Sequence, residues 1–257
     1  MKGFKIFLHG LSSYLLGLGC FISLTTATQG EPKLTVSEER WDFGEITAAL
    51  PVGHTFKVKN TGGATLFIQR VETSCGCAVA ILADSAIQPG REVPLRVTLN
   101  AANLAPGTLS EKNVTLTCND PQEPVKTLTL RARLSYQGVS GIAMEPRWIR
   151  LEKGERVWRT WERLVVTNQD MGPFEVKVLE AHGAVKEARV TRRRVPRRGR
   201  TEVRVLVDRM RLKSEPLEGS SVTLGFRGDG WEERVTIPVE TAVDSSAAQT
   251  GAGEGRN

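Results

Sequence analysis

The stretch that decides the fold reads Glu92-Val93-Pro94-Leu95-Arg96-Val97-Thr98-Leu99, in which every second residue is apolar. A period of two puts the apolar side chains on one side of an extended strand and the polar ones on the other. Residues 126–134 repeat this pattern, and Val114, Leu116 and Cys118 alternate with polar neighbours. Strands with one buried and one solvent-facing side are typical of antiparallel sheets.

Turn sequences separate these apolar runs, among them Asn60-Thr61-Gly62-Gly63, Gln88-Pro89-Gly90 and Asn119-Asp120-Pro121. The runs amount to seven or eight short strands in about 105 residues, and no stretch between them has the pattern of an amphipathic helix. This arrangement predicts an all-β fold, a β-sandwich of the immunoglobulin type.

The same pattern occurs twice along the chain. Trp41 precedes Asn60 much as Trp148 precedes Asn168, and four further segments match in the same order: 56–60 with 164–168, 66–72 with 174–180, Pro89-Gly90-Arg91 with Arg198-Gly199-Arg200, and 114–116 with 222–224. Five ordered matches indicate an internal repeat. The sequence therefore predicts two tandem immunoglobulin-like β-sandwich domains, residues 31–137 and 138–243.

Both ends of the chain differ from this β pattern. Lys2 and Lys5 precede an apolar run and the small residues Thr25-Thr26-Ala27, which is typical of a secretory signal peptide, here residues 1–27. We expect export to the periplasm, the cell envelope or the exterior, and no transmembrane segment in the mature chain. Cys20 follows a Gly as in a lipobox, so a lipid anchor there stays open beside a plain apolar role. Residues 244–257 are small and polar, which predicts a disordered tail.

Composition limits the activity that we expect. The chain has 257 residues, 40% hydrophobic and 25% charged, which excludes global disorder and a polytopic membrane protein. Only three His and two Tyr leave few general acid–base candidates, and His54 and His182 stand isolated in the sequence, which favours surface or packing roles. A net charge of +6 is too mild to indicate nucleic-acid binding. We therefore expect neither an enzyme nor a cofactor.

Two sulfurs stand close together in Ser74-Cys75-Gly76-Cys77, where the second copy has Ala181-His182-Gly183-Ala184 and no cysteine. Residues i and i+2 of a strand point to the same side, so the sulfurs are neighbours. Three outcomes are open: a Cys75–Cys77 disulfide, a Cu(I) site on both thiolates, or a disulfide from one of them to Cys118. Cys118 aligns with the apolar Phe226, which favours a packing role.

These residues carry a family resemblance. The segments Trp41-Asp42-Phe43-Gly44-Glu45-Ile46, residues 56–62, Thr73-Ser74-Cys75-Gly76-Cys77 and Asn119-Asp120-Pro121 resemble the bacterial domain-of-unknown-function family fifteen-seventy-three, related to Hydin-type immunoglobulin-like domains. The resemblance covers about residues 35–135. It implies an immunoglobulin-like fold and an envelope address, and it implies no catalytic residues.

Six arginines occur within nine residues: Arg192, Arg193, Arg194, Arg197, Arg198 and Arg200. Such a run is suited to an anionic surface, a phosphate-rich polymer or an acidic partner, or else it is a solvated loop. No aromatic residue interleaves the run, which disfavours single-stranded nucleic acid.

Together these features predict an exported, non-catalytic binding or structural module of the cell envelope, whose partner is an unidentified protein or envelope polymer. The alternative is a thiol-redox or copper-handling protein that acts through Cys75 and Cys77.

Overall fold

The computed structural model of the protein describes residues 30–151, 158–214 and 219–241. The expected signal peptide, Cys20 within it and the expected tail at residues 244–257 lie outside these residues. The regular secondary structure of the described residues is almost entirely strand, which confirms the all-β prediction. None of the helices in the described ranges is long and apolar enough to cross a membrane.

Nine strands form what we call the first half. They are β1 (Leu34–Val36), β2 (Arg40–Ile46), β3 (Pro51–Asn60), β4 (Leu66–Thr73), β5 (Ala78–Leu82), β6 (Ala86–Ile87), β7 (Glu92–Asn100), β8 (Leu109–Cys118) and β9 (Val125–Leu134). A short 3₁₀ turn, Ala101–Asn103, separates β7 from β8.

Nine further strands form the second half. They are β10 (Ile142–Glu145), β11 (Ile149–Leu151), β12 (Arg159–Asn168), β13 (Phe174–His182), β14 (Val185–Val190), β15 (Arg194–Val195), β16 (Arg200–Asp208), β17 (Ser221–Gly228) and β18 (Trp231–Thr241). One short helix, α1 (Arg209–Ser214), follows β16.

The strands form three sheets. One four-stranded sheet has the order β1-β3-β7-β5, and its counterpart in the second half has the order β10-β12-β16-β14. The third sheet runs through both halves in the order β15-β13-β17-β18-β2-β9-β8-β4-β6, with β11 also paired to β18. Each half encloses its own hydrophobic core, with Phe43, Phe56 and Leu116 in the first and Phe174 and Phe226 in the second. The division into two domains at residue 137 stays a prediction.

The alternation that decides the fold is visible in the burial of β7. Val93, Leu95, Val97 and Leu99 are at most 3% exposed, whereas the residues between them are half-buried. The apolar side of the strand therefore faces the core and the polar side faces outward, as a period of two requires.

Asn60 and Asn168 occupy the same position in the two halves. The amide nitrogen of Asn60 donates hydrogen bonds to the carbonyl oxygens of Ala64 (2.7 Å) and Ile87 (2.8 Å). That of Asn168 donates to Gly172 and Pro196, both at 3.1 Å. Each buried asparagine thus ties the end of one strand to two loops, which explains why the sequence pattern contains it twice.

One of the sequence matches is wrong by one residue. Gly90 has a φ of 78°, and in the second half the left-handed position is held by Arg198, with a φ of 57°. The turns close by equivalent hydrogen bonds, from Arg91 N to Gln88 O and from Gly199 N to Pro196 O. Gly90 therefore corresponds to Arg198 and not to Gly199, because the turn geometry, rather than the identity of the glycine, is shared.

The two halves join through a parallel contact between β2 and β18. Val235 lies opposite Glu45 and Thr236 opposite Ile46. The hydroxyl of Thr236 donates to Phe43 O at 2.7 Å, and Thr47 N donates to Thr236 O at 3.2 Å. Strands of both halves thus belong to one continuous hydrogen-bonded sheet.

Gly44 permits this close approach. It has a φ of 66°, and a Cβ at this position would lie 2.0 Å from the carbonyl oxygen of Arg234 on β18. Only glycine combines this left-handed conformation with so little space.

Candidate functional site

Cys75 and Cys77 form a disulfide in the turn between β4 and β5, with their Cα atoms 5.2 Å apart. Cys75 is half-buried, Cys77 is 8% exposed, and Gly76 between them is exposed. The turn is fixed to β8, because Ser74 N donates to Asn113 O and Asn113 N donates to Ser74 Oγ, both at 2.9 Å. Of the three outcomes that the sequence left open, the structure contains the first.

The second half builds the corresponding turn without cysteine and with two residues, 183–184, where the first half has four, 74–77. Asn100 N donates to Cys77 O, and its counterpart Asp208 N donates to Ala184 O, both at 2.8 Å. Ala184 is buried and receives a second anchor from Ser220 Oγ, which accepts a hydrogen bond from Ala184 N at 2.9 Å. The disulfide is therefore an addition to a turn that this architecture can build without it.

Cys118 is a free thiol within the core, 4% exposed. It lies opposite Ile68, and Phe226 lies opposite Val176 at the matching place of the second half. Burial raises the pKa of the Cys118 thiol, which donates a hydrogen bond from Sγ to Glu123 O at 3.4 Å. A protonated, enclosed thiol is a packing group and a poor metal ligand.

The residues do not fit a copper site as they stand. The two sulfurs of Cys75 and Cys77 are bonded to each other and offer no thiolate. Within the described parts of the chain, no group of three or more His, Cys, Asp or Glu side chains is arranged to hold a metal ion.

The structure divides the six predicted arginines among different surfaces, although all are exposed. Arg197 and Arg198 both donate to Asp170 Oδ1, at 2.7 and 3.1 Å, and these hydrogen bonds hold the pKa of Asp170 below its usual range. Arg194 lies on β15 opposite Glu175. Arg192 and Arg200 lie together on the outer side of the sheet β10-β12-β16-β14.

Arg192 and Arg200 line a shallow depression that we call the arginine recess. Its other lining residues include Arg163, Val165, Thr191 and Glu202. Arg163 pairs with Glu202 at 3.2 Å. Neither Arg192 nor Arg200 forms an ion pair with any residue in the described ranges.

Three further arginines on this face were missed in the sequence. Arg163 on β12 lies opposite Arg204 on β16, and Arg204 lies opposite Arg189 on β14. We call these three the arginine row. Arg163 pairs with Glu202 and Arg189 with Glu187, whereas the central Arg204 has no acidic partner among the described residues. The signal was absent from local sequence, because the row exists only through the register of three strands.

Trp161 stands beside the arginine row, one step along β12. Its side chain is 49% exposed, and the guanidinium of Arg189 lies 5.9 Å from the centre of its ring. Leu206 lies opposite Trp161 on β16 and is half-buried. The face therefore combines cationic groups with an exposed apolar surface.

The two histidines that are isolated in the sequence are both buried and lie close together at the contact between the halves. His54 Nδ1 donates to Glu180 Oε2 at 2.8 Å, and His182 Nδ1 lies 3.8 Å from Glu180 Oε1. Glu38 lies 3.3 Å from His54 Nε2 on the other side. Burial alone would raise the pKa of Glu180, but the hydrogen bonds from His182 and His54 outweigh it and the pKa is lowered.

Asp120 gives the Asn119-Asp120-Pro121 segment a structural role. One of its carboxylate oxygens accepts from Leu34 N at 2.7 Å, and the other accepts from Gln122 N at 2.9 Å and Glu123 N at 3.3 Å. Burial opposes ionisation, yet these backbone donors lower the pKa of Asp120. The segment thus attaches β1 to the turn before β9.

The Cys75–Cys77 turn and the Asp120 turn both lie in the first half, within a β domain of about one hundred residues. Residues 34–134 match the family described as "Protein of unknown function (DUF1573)". This match over residues 34–134 agrees with the family resemblance seen in the sequence. The match ends before β10.

Several solved structures are similar over most of the chain. A protein of unknown function from Porphyromonas gingivalis W83 is 19% identical, covering 80% of this chain and 99% of that one, with a TM-score of 0.32. The CupB2 chaperone of Pseudomonas aeruginosa is 16% identical, covering 79% and 99%, also with a TM-score of 0.32. The E. coli chaperone DraB is 15% identical, covering 81% and 98%, with a TM-score of 0.32. These scores are too low to carry an argument about function. The search of curated proteins finds no match.

Proposed function

We propose that the protein is an exported, non-catalytic module of the cell envelope that binds an anionic partner through the outer face of its second half. The observation that carries this proposal is the group of exposed arginines without acidic partners among the described residues, namely Arg192, Arg200 and Arg204. Export rests on the signal-like residues 1–27, which lie outside the described structure.

Unpaired guanidinium groups on one sheet face favour an anionic partner for two reasons. Their summed charge attracts anions over about one Debye length, roughly 8–10 Å at physiological salt. Each guanidinium also presents a planar fork of donors that matches a carboxylate or a phosphate. Strands hold the side chains on a rigid support, which reduces the entropy lost on binding.

The absence of catalysis is part of the proposal. The buried titratable cluster of His54, Glu180 and His182 is enclosed between the two halves, where its hydrogen bonds contribute to their contact. We assign it a packing role.

Cell fractionation and binding to envelope material test the proposal together. We expect the tagged protein in the envelope or periplasmic fraction, with a mature N-terminus near Thr28. The purified mature chain should bind isolated envelope fractions, and binding should weaken as salt rises because the charges are screened. A cytoplasmic protein that retains Met1, or one that does not bind any envelope fraction, would contradict the proposal.

The alternative function, thiol–disulfide exchange, is favoured by one observation: the Cys75–Cys77 disulfide lies in a half-exposed turn that the second half builds without cysteine. In such an exchange an incoming thiolate attacks one sulfur of the pair and the other sulfur leaves as a thiolate. Thiol counting on protein taken from its native compartment tests this. A pair that is found partly reduced there, and that exchanges with small dithiols, would favour the alternative, whereas a fully oxidised and inert pair would count against it.

A further inference from the structure

The geometry points to the occupant of this face: an acidic polysaccharide whose carboxylates bind the arginine row and recess while a sugar ring packs on Trp161. This inference rests on the proposed function and names its partner class. Besides Arg192 and Arg200 of the recess, it uses the arginine row and Trp161, which lie outside the arginine run of the sequence.

The arginine row is unfavourable for folding alone. Residues directly opposite on neighbouring strands have their Cβ atoms about 5 Å apart, and like charges at this distance destabilise a sheet. In the row three guanidinium groups stand on adjacent strands, and Glu202 and Glu187 neutralise only the outer two. An anion over Arg204 removes this repulsion.

The corresponding positions of the first half lack such a row. Thr55 lies opposite Arg96, and Arg96 lies opposite Ile81. At these positions the sheet of the first half therefore has a single arginine, flanked by a hydroxyl and an aliphatic side chain, and no neighbouring guanidinium repels it. The architecture therefore does not require three arginines here.

The shape of the face indicates a polymer. Arg200 and Arg204 lie four residues apart on β16 and so are about 13 Å apart along the strand. Along the strand direction, the recess around Arg192 and Arg200 lies on one side of the row, and Trp161 with Leu206 lies on the other. A strip of spaced cations that is recessed at one end matches a linear chain with repeated anionic groups. A bilayer, by contrast, contacts protruding surfaces.

The exposed indole ring of Trp161 favours a polysaccharide over other classes of anionic polymer. A pyranose ring has an apolar C–H face, which packs on an exposed aromatic ring, and its carboxylate then reaches the neighbouring guanidinium forks. Single-stranded nucleic acid requires successive aromatic platforms. Within the four described strands of this sheet, Trp161 is the one aromatic residue, and Trp158 lies just before β12.

The test measures binding of the purified full-length mature chain to polygalacturonate, a polymer of uronic acid, by isothermal titration calorimetry. Fully methyl-esterified polygalacturonate is the neutral control polymer. Polyphosphate and vesicles of phosphatidylglycerol represent the other anionic sources. We expect binding to the acid polymer, at least tenfold weaker binding to the ester, and weaker binding to polyphosphate and vesicles.

Two variants locate the site. Arg204→Gln should weaken polygalacturonate binding about tenfold, and Trp161→Ala severalfold. Arg193→Gln is the matched control, since it removes the same charge from an exposed residue that does not line the recess. The melting temperature of Arg204→Gln should equal or exceed that of the parent, because the substitution relieves repulsion.

Several results would overturn the inference. Equal binding of acid and ester polymers, stronger binding to vesicles, or an equal effect of Arg193→Gln and Arg204→Gln would each do so. Retained binding to isolated envelope fractions without binding to polygalacturonate would reject the polysaccharide while leaving the proposed function intact. If the protein bound neither isolated envelope fractions nor polygalacturonate, the proposed function itself would be rejected.

Discussion

The first half and the second half share strand order, sheet pairing and the burial of their inward-facing side chains, and they differ mainly at what they present outward. Inside, Phe56 corresponds to Leu164 and Val97 to Val205, all fully buried. Outside, the first half has a disulfide turn and the second half has an arginine row. Packing against the core restricts the residues at the inward-facing positions of both halves. A role that is specific to one half therefore depends on its outward-facing residues.

The contact between the halves gives the largest expected effect. Gly44→Ala should reduce the free energy of unfolding by more than about 4 kcal/mol, because its Cβ would overlap the carbonyl oxygen of Arg234. Gly90→Ala is the matched control: its φ is also positive, but it has open space, and it should cost only about 1–2 kcal/mol. Urea denaturation of both variants measures the difference. If both variants lost the same free energy of unfolding, the contact between β2 and β18 would have to accommodate the added Cβ without strain.

The equivalence of Cys118 and Phe226 can be tested next. Phe226→Ala should cost about 3–5 kcal/mol and Cys118→Ala about 1–2 kcal/mol, since the lost side-chain volume differs at one shared core position. Chemical denaturation gives both values. A change in redox behaviour or metal affinity in Cys118→Ala would show that the buried thiol belongs to a site.

The cysteine pair distinguishes the β4–β5 turn from its counterpart. Cys75→Ser/Cys77→Ser should cost about 1.5 kcal/mol, the loop-closure contribution of so small a ring, because Ala184 serves the same place without a disulfide. Thermal and urea unfolding under oxidising conditions compare the variant with the parent. A loss above roughly 4 kcal/mol would instead identify the disulfide as a main support of the first half.

Glu180 gives the smallest effect, and that effect depends on pH. Glu180→Gln should cost about 1 kcal/mol at pH 7. The pKa of Glu180 is lowered by folding, so its contribution is present above the ordinary value of about 4.3 and is lost as the pH falls through the folded-state value. The difference in unfolding free energy between parent and variant should therefore narrow from about pH 5 to pH 3. A difference that widens in acid would contradict this assignment.

Local sequence was sufficient for the strands, because a period of two is a property of neighbours: residues 92–99 were predicted and β7 covers Glu92–Asn100. It was insufficient wherever register between distant strands decides. His54 and Glu180 are 126 residues apart in the chain, and the arginine row needs three strands in register.

The dense arginine run was misleading for a related reason. The run extends from the loop after β14 through the two-residue strand β15 and a turn to the start of β16, so arginines that are close in sequence lie on different elements. The cysteine pair could be predicted in part. The sequence spacing indicated that both sulfurs lie on the same side of the strand, but it did not determine whether they are bonded to each other.

The parallel pairing of β2 with β18 has a consequence for how the chain folds. Phe43 and Thr236 are 193 residues apart in the chain, so the contact between their strands closes a very long loop. Contacts of such long range slow folding. Until β18 arrives, one edge of β2 is an unpaired strand edge, which can accept the same strand from another molecule. Exchange of β18 between two chains is thus the misassembly to which this topology is most exposed.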